Sequence, residues 1–284
     1  MSVTDIAANK NSGASPIPQL SLELAAATRM LEAEGILDYS GHVSSRIPGR
    51  EDAFMIQIGS TSRQELDPAD ILIVDYDCNV VEGDGKPPSE TVIHAEILKA
   101  RPDVNSVIHC HMDLAIAFTM MEGVKLEMMR ARATRWKSGI PTHPDPSHIK
   151  LVEQGIDLAK TLGPHHVALM RAHGLVMTAE SIRHLFVDCV HFQENALAQL
   201  QVMQSGAKPV PLTEAEIEQI ELMEMRDWHA KKLWNYYIRK GFNEGVLDDD
   251  WREALTPSKE SMKREKMFDD KVLAKKKGSS AGHS

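Results

Sequence analysis

Two histidines separated by one residue, His109 and His111, end an apolar run that begins at residue 104. A short apolar run of this kind is typical of a buried β-strand. On a strand the side chains at positions i and i+2 lie on the same face, whereas on a helix this spacing would direct them apart. Two imidazoles on one face can bind a single metal ion, so the pattern predicts a strand that ends in a pair of metal ligands.

A third histidine and a carboxylate lie elsewhere in comparable positions. Residues 167–170 are predicted to form a second buried strand, which leads to His173. Glu90 is predicted to begin a helix for which Ser89 is the N-cap. Three histidines with an open coordination position and a nearby glutamate outline a catalytic metal site. The alternative, that these are hydrogen-bonded histidines of the core, stays open at this point. Cys110 is predicted to point to the opposite face of its strand.

Composition restricts the classes of partner. The 284 residues carry a formal net charge of −9, which argues against nucleic acid and against an anionic membrane as partners. No run approaches the roughly 18–20 apolar residues of a spanning helix, and no export signal is recognisable. Three scattered cysteines do not form a disulfide framework and suit a reducing compartment. We therefore expect a cytoplasmic protein that acts on a small molecule.

The chain is predicted to contain one domain, residues 19–257, between a flexible arm at residues 1–18 and a charged, disordered tail at residues 258–284. Besides the two strands described above, strands are predicted at residues 53–58, 71–75 and 80–81. Helices are predicted at residues 20–34, 90–100, 113–121, 149–162, 181–203 and 213–240.

Six short motifs, in their order and spacing, resemble the class II aldolase/adducin family over about residues 20–200. They are Gly41-His-Val-Ser-Ser-Arg46, Asp70-Ile-Leu-Ile-Val-Asp75, Pro88-Ser-Glu90 with His94, Arg101-Pro-Asp-Val104, Val107-Ile-His-Cys-His111 and Leu169-Met-Arg-Ala-His-Gly174. The resemblance implies an α/β fold, a three-layer α/β/α sandwich with a mostly antiparallel central sheet. It also implies a homotetramer with active sites near the subunit contacts.

The resemblance implies roles for four of the residues. His109, His111 and His173 would bind one divalent metal ion per subunit, and Glu90 would be a further ligand or the catalytic acid/base. Zinc suits this set of ligands best, with manganese or iron as alternatives. His42, predicted to follow a glycine in a turn, is a candidate proton shuttle or substrate contact. One helical turn after Glu90, the side chain at position 94 is a candidate to orient that carboxylate.

Two departures from the sugar-phosphate aldolases concern the substrate. Their Gly-Asn is replaced by Gly41-His42, and their second phosphate loop would fall at residues 59–62, which contain no proline and no second glycine. A phosphate loop needs backbone N–H groups in tight turns, so we expect a non-phosphorylated ligand. No tyrosine lies between Tyr76 and Tyr236, where the aldolases carry a proton donor.

These departures resemble the branch that acts on aromatic or heteroaromatic acids, such as hydroxy-methylpyridine-dicarboxylate decarboxylase. Arg171, two residues before His173 on the predicted strand, is expected to face the metal and bind a substrate carboxylate. Ser44 and Ser89 are further candidate substrate contacts. The predicted function is metal-dependent decarboxylation. Retro-aldol cleavage is the alternative, and oxygen activation by iron or a non-catalytic adducin-like scaffold is less favoured.

Overall fold

The computed structural model describes residues 15–256. The predicted tail at residues 258–284 and most of the predicted arm lie outside the described residues. Helix α1 (Ile17–Ala33) begins three residues before the predicted position. Its second residue is Pro18, which has no N–H to lose and suits the first turn of a helix. Ile17 and Pro18, the last two residues of the predicted arm, form the first turn of α1.

Eight strands form one sheet. They are β1 (His42–Ile47), β2 (Arg50–Gln57), β3 (Ile71–Asp75), β4 (Val80–Glu82), β5 (Ser106–Cys110), β6 (Thr142–His143), β7 (Val167–Met170) and β8 (Gly174–Ala179). Their order is β4-β3-β2-β1-β5-β8-β7-β6. Every neighbouring pair is antiparallel except β6 and β7, which are parallel. The prediction of a mostly antiparallel sheet is confirmed.

Helices cover both faces of this sheet. After α1, the helices are α2 (Thr91–Ala100), α3 (Asp113–Ile116), α4 (Val152–Leu162), α5 (Ile182–Gln204), α6 (Glu214–Leu222), α7 (Arg226–Asn243) and α8 (Arg252–Leu255). Helices α1, α5 and α7 contribute to one apolar core, and α2 and α4 contribute to a second core on the other face. The molecule is therefore a three-layer α/β/α sandwich. No helix within residues 15–256 is long and apolar enough to span a membrane.

Side chains of β5 alternate between the two faces of the sheet, so that His109 lies on one face and Ile108 and Cys110 lie on the other. Ile108 and Cys110 contribute to the core beneath α1 and α5, whereas Val107 belongs to the core beneath α2 and α4. His109 has the same parity as Val107 and so faces the layer of α2 and α4. The expectation for Cys110 is confirmed, since its thiol is buried on the face away from His109.

Two predicted helices differ from the structure for identifiable reasons. Helix α4 begins at Val152 rather than at residue 149, because the backbone of Leu151 is extended, and the N–H of Ile149 donates to the carboxylate of Glu90. The long helix predicted at residues 213–240 is two helices, α6 and α7, and α7 begins at Arg226. The guanidinium of Arg226 donates to the carboxylate of Asp188 on α5, which fixes the start of α7 against that helix.

Candidate metal centre

Four side chains meet at one end of the central strands. Glu90, His109, His111 and His173 each offer a ligand atom, and these atoms lie within 4.8 Å of one another. Glu90 Oε2 lies 3.7 Å from His109 Nε2, and Glu90 Oε1 lies 3.8 Å from His173 Nε2. The structure thus assembles the predicted ligand set, which we call the histidine–glutamate cluster, from three distant parts of the chain.

His109 is oriented by the backbone of the neighbouring strand. Its Nδ1–H donates to the carbonyl oxygen of Leu175 at 3.1 Å, so in the neutral ring the lone pair lies on Nε2. That Nε2 is buried and has no hydrogen-bond partner among residues 15–256. Burial, followed by the neighbouring His42, lowers the pKa of His109 well below its usual value. The ring is therefore neutral at physiological pH, the state that binds a metal.

Asp38 orients His111 in the same way. Its Oδ2 accepts from His111 Nδ1 at 2.9 Å, and its Oδ1 accepts from the N–H groups of Ser40 and Gly41. Burial alone would raise the pKa of Asp38, but these hydrogen bonds lower it, so the carboxyl is ionised. A carboxylate behind a ligating imidazole is a frequent feature of metal sites, because it fixes the tautomer. His111 itself lies one residue beyond the end of β5, whereas the sequence placed it on the strand.

Glu90 is the N-cap residue of α2 by position, and its carboxylate does not cap the helix. Its Oε1 accepts from the N–H of Ile149 at 2.8 Å, which turns the side chain toward the histidine–glutamate cluster. The prediction that Ser89 is the N-cap is wrong, because the helix begins at Thr91 and Ser89 is exposed. His148 Nδ1 lies 3.6 Å from the same Oε1, a neighbour that the sequence did not indicate.

Gly174 allows the turn carrying His173 to approach the other two histidines. A Cβ built at this position would lie 2.7 Å from the carbonyl oxygen of Cys110 and 3.0 Å from the His109 ring. Such distances are not accessible to a side chain, so only glycine brings β8 this close to β5 here. The neighbouring turn residue Ala172 has a φ of 52°, and its N–H donates to Thr119 Oγ1.

His42 lies on β1, directly opposite His109, and not in a turn as predicted. Its Nδ1 is hydrogen-bonded to His94 Nε2 at 2.6 Å, and His94 Nδ1 is hydrogen-bonded to Ser44 Oγ at 2.6 Å. Burial lowers the pKa of His94 to about 3. The prediction that Ser44 contacts substrate is not supported, since its side chain is fully buried and engaged by His94.

His94 also has different neighbours from the one that the sequence indicated. It is bonded to His42 and Ser44 rather than to the carboxylate of Glu90. Because β1 alternates, His42 and Ser44 both face α2, and His94 on that helix reaches both. These three residues form a buried polar chain, the His42–His94–Ser44 chain, which starts beside the histidine–glutamate cluster.

Arg171 differs from its predicted placement. Strand β7 ends at Met170, so Arg171 lies in the turn before β8 and its side chain is exposed. The argument that residues 171 and 173 share a strand face is therefore wrong. Its backbone N–H donates to the carbonyl oxygen of His143, and within residues 15–256 its side chain has no ion pair.

An open cavity of about 620 Å³ lies beside the histidine–glutamate cluster. Glu90, His111 and His42 border it, as does Ser89. Cationic side chains also line it, namely Arg63, Lys86 and Lys150. Ser89, a predicted substrate contact, lies at the wall of this cavity, whereas the buried Arg63 was missed by sequence reasoning.

The residues present fit a divalent metal ion. The buried Nε2 atoms of His109 and His173 have no hydrogen-bond partner among the described residues, which would be costly in the absence of an acceptor or ion. The Nδ1 atoms of His109 and His111 are occupied by Leu175 and Asp38, which leaves the Nε2 atoms of both rings free to bind an ion. Three imidazoles and one carboxylate are a donor set of first-row divalent metals.

Comparison with known proteins agrees with this geometry. The sequence matches the family described as Class II Aldolase and Adducin N-terminal domain over residues 22–200. The chain belongs to this family.

Two curated relatives and one solved structure illustrate the likeness. The 3,4-dihydroxyphthalate decarboxylase of Arthrobacter keyseri is 26% identical over 210 residues, 69% of this chain and 84% of the relative. The enzyme of the same name from Terrabacter sp. (strain DBF63) is 26% identical over 245 residues, 82% of this chain and 94% of the relative. The crystal structure of an aldolase II superfamily protein from Pseudomonas syringae superposes with a TM-score of 0.70 at 24% identity, covering 82% of this chain and 96% of that one.

The family membership confirms the resemblance stated from the motifs, and the structural neighbour confirms the fold. Class II aldolases use a divalent metal, and the histidine–glutamate cluster is a group that could bind one. The relatives support a lyase-type enzyme of the class II aldolase family.

Proposed function

We propose that this protein is a divalent-metal-dependent carbon–carbon lyase that decarboxylates a non-phosphorylated aromatic or heteroaromatic carboxylate. The observation that carries the proposal is the histidine–glutamate cluster at the border of a cavity whose other charged side chains, among the described residues, are cations. The two relatives named as decarboxylases of a dihydroxyphthalate support the reaction and the class of substrate.

His109, His111 and His173 would hold the ion, with Glu90 as a fourth ligand or as an acid/base. When bound, a divalent ion supplies Lewis-acid stabilisation for the negative charge that cleavage of a C–C bond leaves on the substrate. Loss of carbon dioxide leaves an electron pair on carbon, which must then accept a proton. Glu90 Oε2 is not used by the backbone, unlike Oε1, and is the atom available to hold that proton.

His42 is the second group that we assign to proton transfer. It borders the cavity, and its Nδ1 is fixed by His94, which is fixed in turn by Ser44. This arrangement holds the ring in one orientation, and a general acid or base must be positioned within hydrogen-bond reach of the reacting atom. Ser89 at the cavity wall is a candidate contact for the substrate.

Several further properties are proposed on the basis of the family resemblance and composition. We propose one ion per subunit, with zinc favoured and manganese or iron as alternatives, and a cytoplasmic homotetramer. Light scattering of the purified protein tests the tetramer, and elemental analysis identifies the metal.

Elemental analysis of the purified protein, followed by a screen of carbon dioxide and aldehyde release, tests the proposed function. We expect about one divalent ion per chain, and carbon dioxide release from hydroxylated aromatic carboxylates. Aldehyde release instead would favour the retro-aldol alternative, and oxygen consumption with an iron-loaded protein would favour oxygen activation.

His111→Ala tests the ligand assignment, because it removes one ligand at a partly exposed position, where the substitution disturbs the core least. We expect it to lose most of its metal and its turnover. Full metal occupancy together with normal turnover in this variant would refute the assignment of the histidine–glutamate cluster.

A further inference from the structure

Arg63 is a buried cation at the wall of the cavity, with only 3% of its surface exposed. Its Nε–H donates to the carbonyl oxygen of Gly41 at 2.8 Å, and Nη1 donates to the carbonyl oxygen of Thr61 at 2.5 Å. Weaker contacts at 3.4 Å join Nη1 and Nη2 to the carbonyl oxygen of Gly59. A guanidinium has five N–H groups, so at least one N–H of Nη2 is left without an acceptor in these contacts.

No carboxylate pairs with Arg63 within ion-pair distance among residues 15–256. Burial lowers its pKa, with Asp38 acting weakly in the opposite direction, but a guanidinium stays protonated in proteins. Buried charges are almost always paired, because an unpaired one is expensive to desolvate. Backbone carbonyls accept several of its hydrogen bonds but do not neutralise its charge, so an anion in the cavity can both neutralise that charge and accept from the free N–H.

The remaining charges of the cavity strengthen this asymmetry. Lys86 and Lys150 add two exposed cations to the wall, and Glu90 is its one carboxylate within the described part of the chain. That carboxylate already accepts from Ile149 and belongs to the histidine–glutamate cluster. The cavity is therefore lined by three cations against a single carboxylate.

The half-buried Arg46 shows that hydrogen bonds to backbone carbonyls do not by themselves create a positively charged cavity. Its guanidinium also donates to backbone carbonyls, those of Val104, Leu98 and Arg101. The cavity beside Arg46, however, is lined by three glutamates as well as by cations, namely Glu23, Glu51 and Glu180. An anion has no net attraction to that cavity.

We infer that Arg63 binds a second carboxylate of the substrate, so that the site selects aromatic dicarboxylates over monocarboxylates. The inference rests on the proposed function, because it takes the cavity beside the histidine–glutamate cluster as the substrate site. Arg63, rather than the exposed Arg171, is then the counter-charge. Lys86 and Lys150 at the rim attract the dianion from solution.

Calorimetric binding to the full-length, metal-reconstituted protein tests the inference without requiring turnover. The probes are phthalate, a benzene dicarboxylate, and benzoate, which carries a single carboxylate on the same ring. We expect Arg63→Gln to weaken phthalate binding about ten- to a hundredfold, the usual contribution of a charged hydrogen bond, and to leave benzoate binding within about twofold, because benzoate has no second carboxylate for Arg63 to bind. Arg46→Gln is the control, and should leave both affinities unchanged.

An equal loss of affinity for both probes would show that Arg63 only holds the backbone at Gly41 and Gly59 in place. An unchanged affinity for phthalate would also overturn the inference. If Arg63→Gln does not fold, the double variant Lys86→Gln/Lys150→Gln carries the test, because both side chains are exposed. We expect it to weaken phthalate binding about three- to tenfold at low salt and less at high salt, whereas unchanged phthalate affinity would count against the positive wall. If phthalate binding does not depend on Arg63 but carbon dioxide is released, the role of Arg63 is refuted and the proposed function is retained. If phthalate binding depends on Arg63 but no carbon dioxide is released, the proposed function is refuted and the role of Arg63 in binding is retained.

Discussion

At the scale of single residues, the candidate centre depends on hydrogen bonds that lie behind the ligands. His109 is oriented by the carbonyl oxygen of Leu175 and His111 by Asp38, and both partners leave Nε2 unoccupied. Glu90 is turned inward by the N–H of Ile149. Holding ligands in place before the ion arrives reduces the entropy that binding must overcome.

Glu90→Gln separates a chemical role of this residue from a structural one. The amide oxygen can still accept from Ile149, so the backbone should keep its path, but the amide can neither ionise nor transfer a proton as the carboxyl does. We expect kcat to fall about 10²- to 10⁴-fold, the usual contribution of general acid–base catalysis, with the metal retained. Single-turnover rates and elemental analysis of the same sample measure both quantities.

The matched control is Glu96→Gln on the same helix, whose carboxylate pairs with Lys99 outside the cluster. If Glu90→Gln lowers only the thermal stability and leaves kcat near that of the control, Glu90 has a structural role.

The site residues that could be predicted from the sequence are those that lie within a recognisable motif. The three histidines and Glu90 were identified because strand spacing and helix position constrain where their side chains point. Asp38, Arg63 and His148 were missed, since each meets the site through a loop whose course depends on tertiary packing. The prediction for Arg171 was wrong because β7 ends at Met170, so the strand does not determine the direction of the Arg171 side chain.

At the scale of elements, an ion-pair network around the buried Asp188 joins α7 to α5 and to the end of β8. Arg226 at the start of α7 donates to both carboxylate oxygens of Asp188 on α5 at 2.8 Å, and to Glu180 just after β8. Arg135 binds the same two carboxylates. The side chain of Asp188 is 3% exposed, and both of its carboxylate oxygens accept hydrogen bonds from these two arginines.

Arg226→Ala should destabilise the fold by about 3 kcal/mol, near the lower end for breaking a buried pair, because Arg135 still partners Asp188. Urea unfolding monitored by circular dichroism measures this loss. Lys160→Ala, which removes the exposed pair with Asp157, is the control and should cost less than about 1 kcal/mol. A loss no larger than the control's would show that α7 is held by apolar contacts alone.

The stabilisation that Arg226 contributes through Glu180 should decrease at low pH. Burial alone would raise the pKa of Glu180, but Arg226 and Arg135 lower it from 4.5 to about 2. A carboxyl with a lowered folded-state pKa stabilises the protein above its unfolded pKa, and this stability is lost as the pH falls toward the folded value. The difference in unfolding free energy between wild type and Arg226→Ala should therefore narrow as the pH falls below 4.5, the ordinary value for this carboxyl.

Elements were predictable in proportion to how regular their patterns are. Strands β3 and β7 were predicted at their observed bounds, since both are continuous apolar runs. Strand β1 was missed because its sequence, His-Val-Ser-Ser-Arg-Ile, is mostly polar, although His42 and Ser44 face a buried helix rather than water. Strands are recognised by apolar side chains on their buried face, and here the side chains of the buried face are polar.

At the scale of the whole molecule, the histidine–glutamate cluster ties together segments that are distant in sequence. Glu90 precedes α2, His109 and His111 lie at the end of β5, and His173 precedes β8. A ligand that binds only the folded state stabilises it, by about 4 kcal/mol at a thousandfold excess over its Kd.

Metal removal should therefore lower the melting temperature. For a domain of this size we expect EDTA to reduce Tm by roughly 10 °C, as measured by differential scanning calorimetry. His111→Ala should show a much smaller response to EDTA, which makes it the control. Equal melting temperatures of the wild type with and without EDTA would contradict metal binding at the cluster.

The division of the site between strands and loops has a consequence for how such a protein can diversify. His109 and His42 lie on central strands, where a substitution disturbs the sheet on both sides. Arg63, Lys86 and Lys150 lie on connections between elements, outside every ladder of the sheet. Substitutions on these connections can therefore change the charge and shape that the cavity accepts without disturbing the strand positions of His42 and His109.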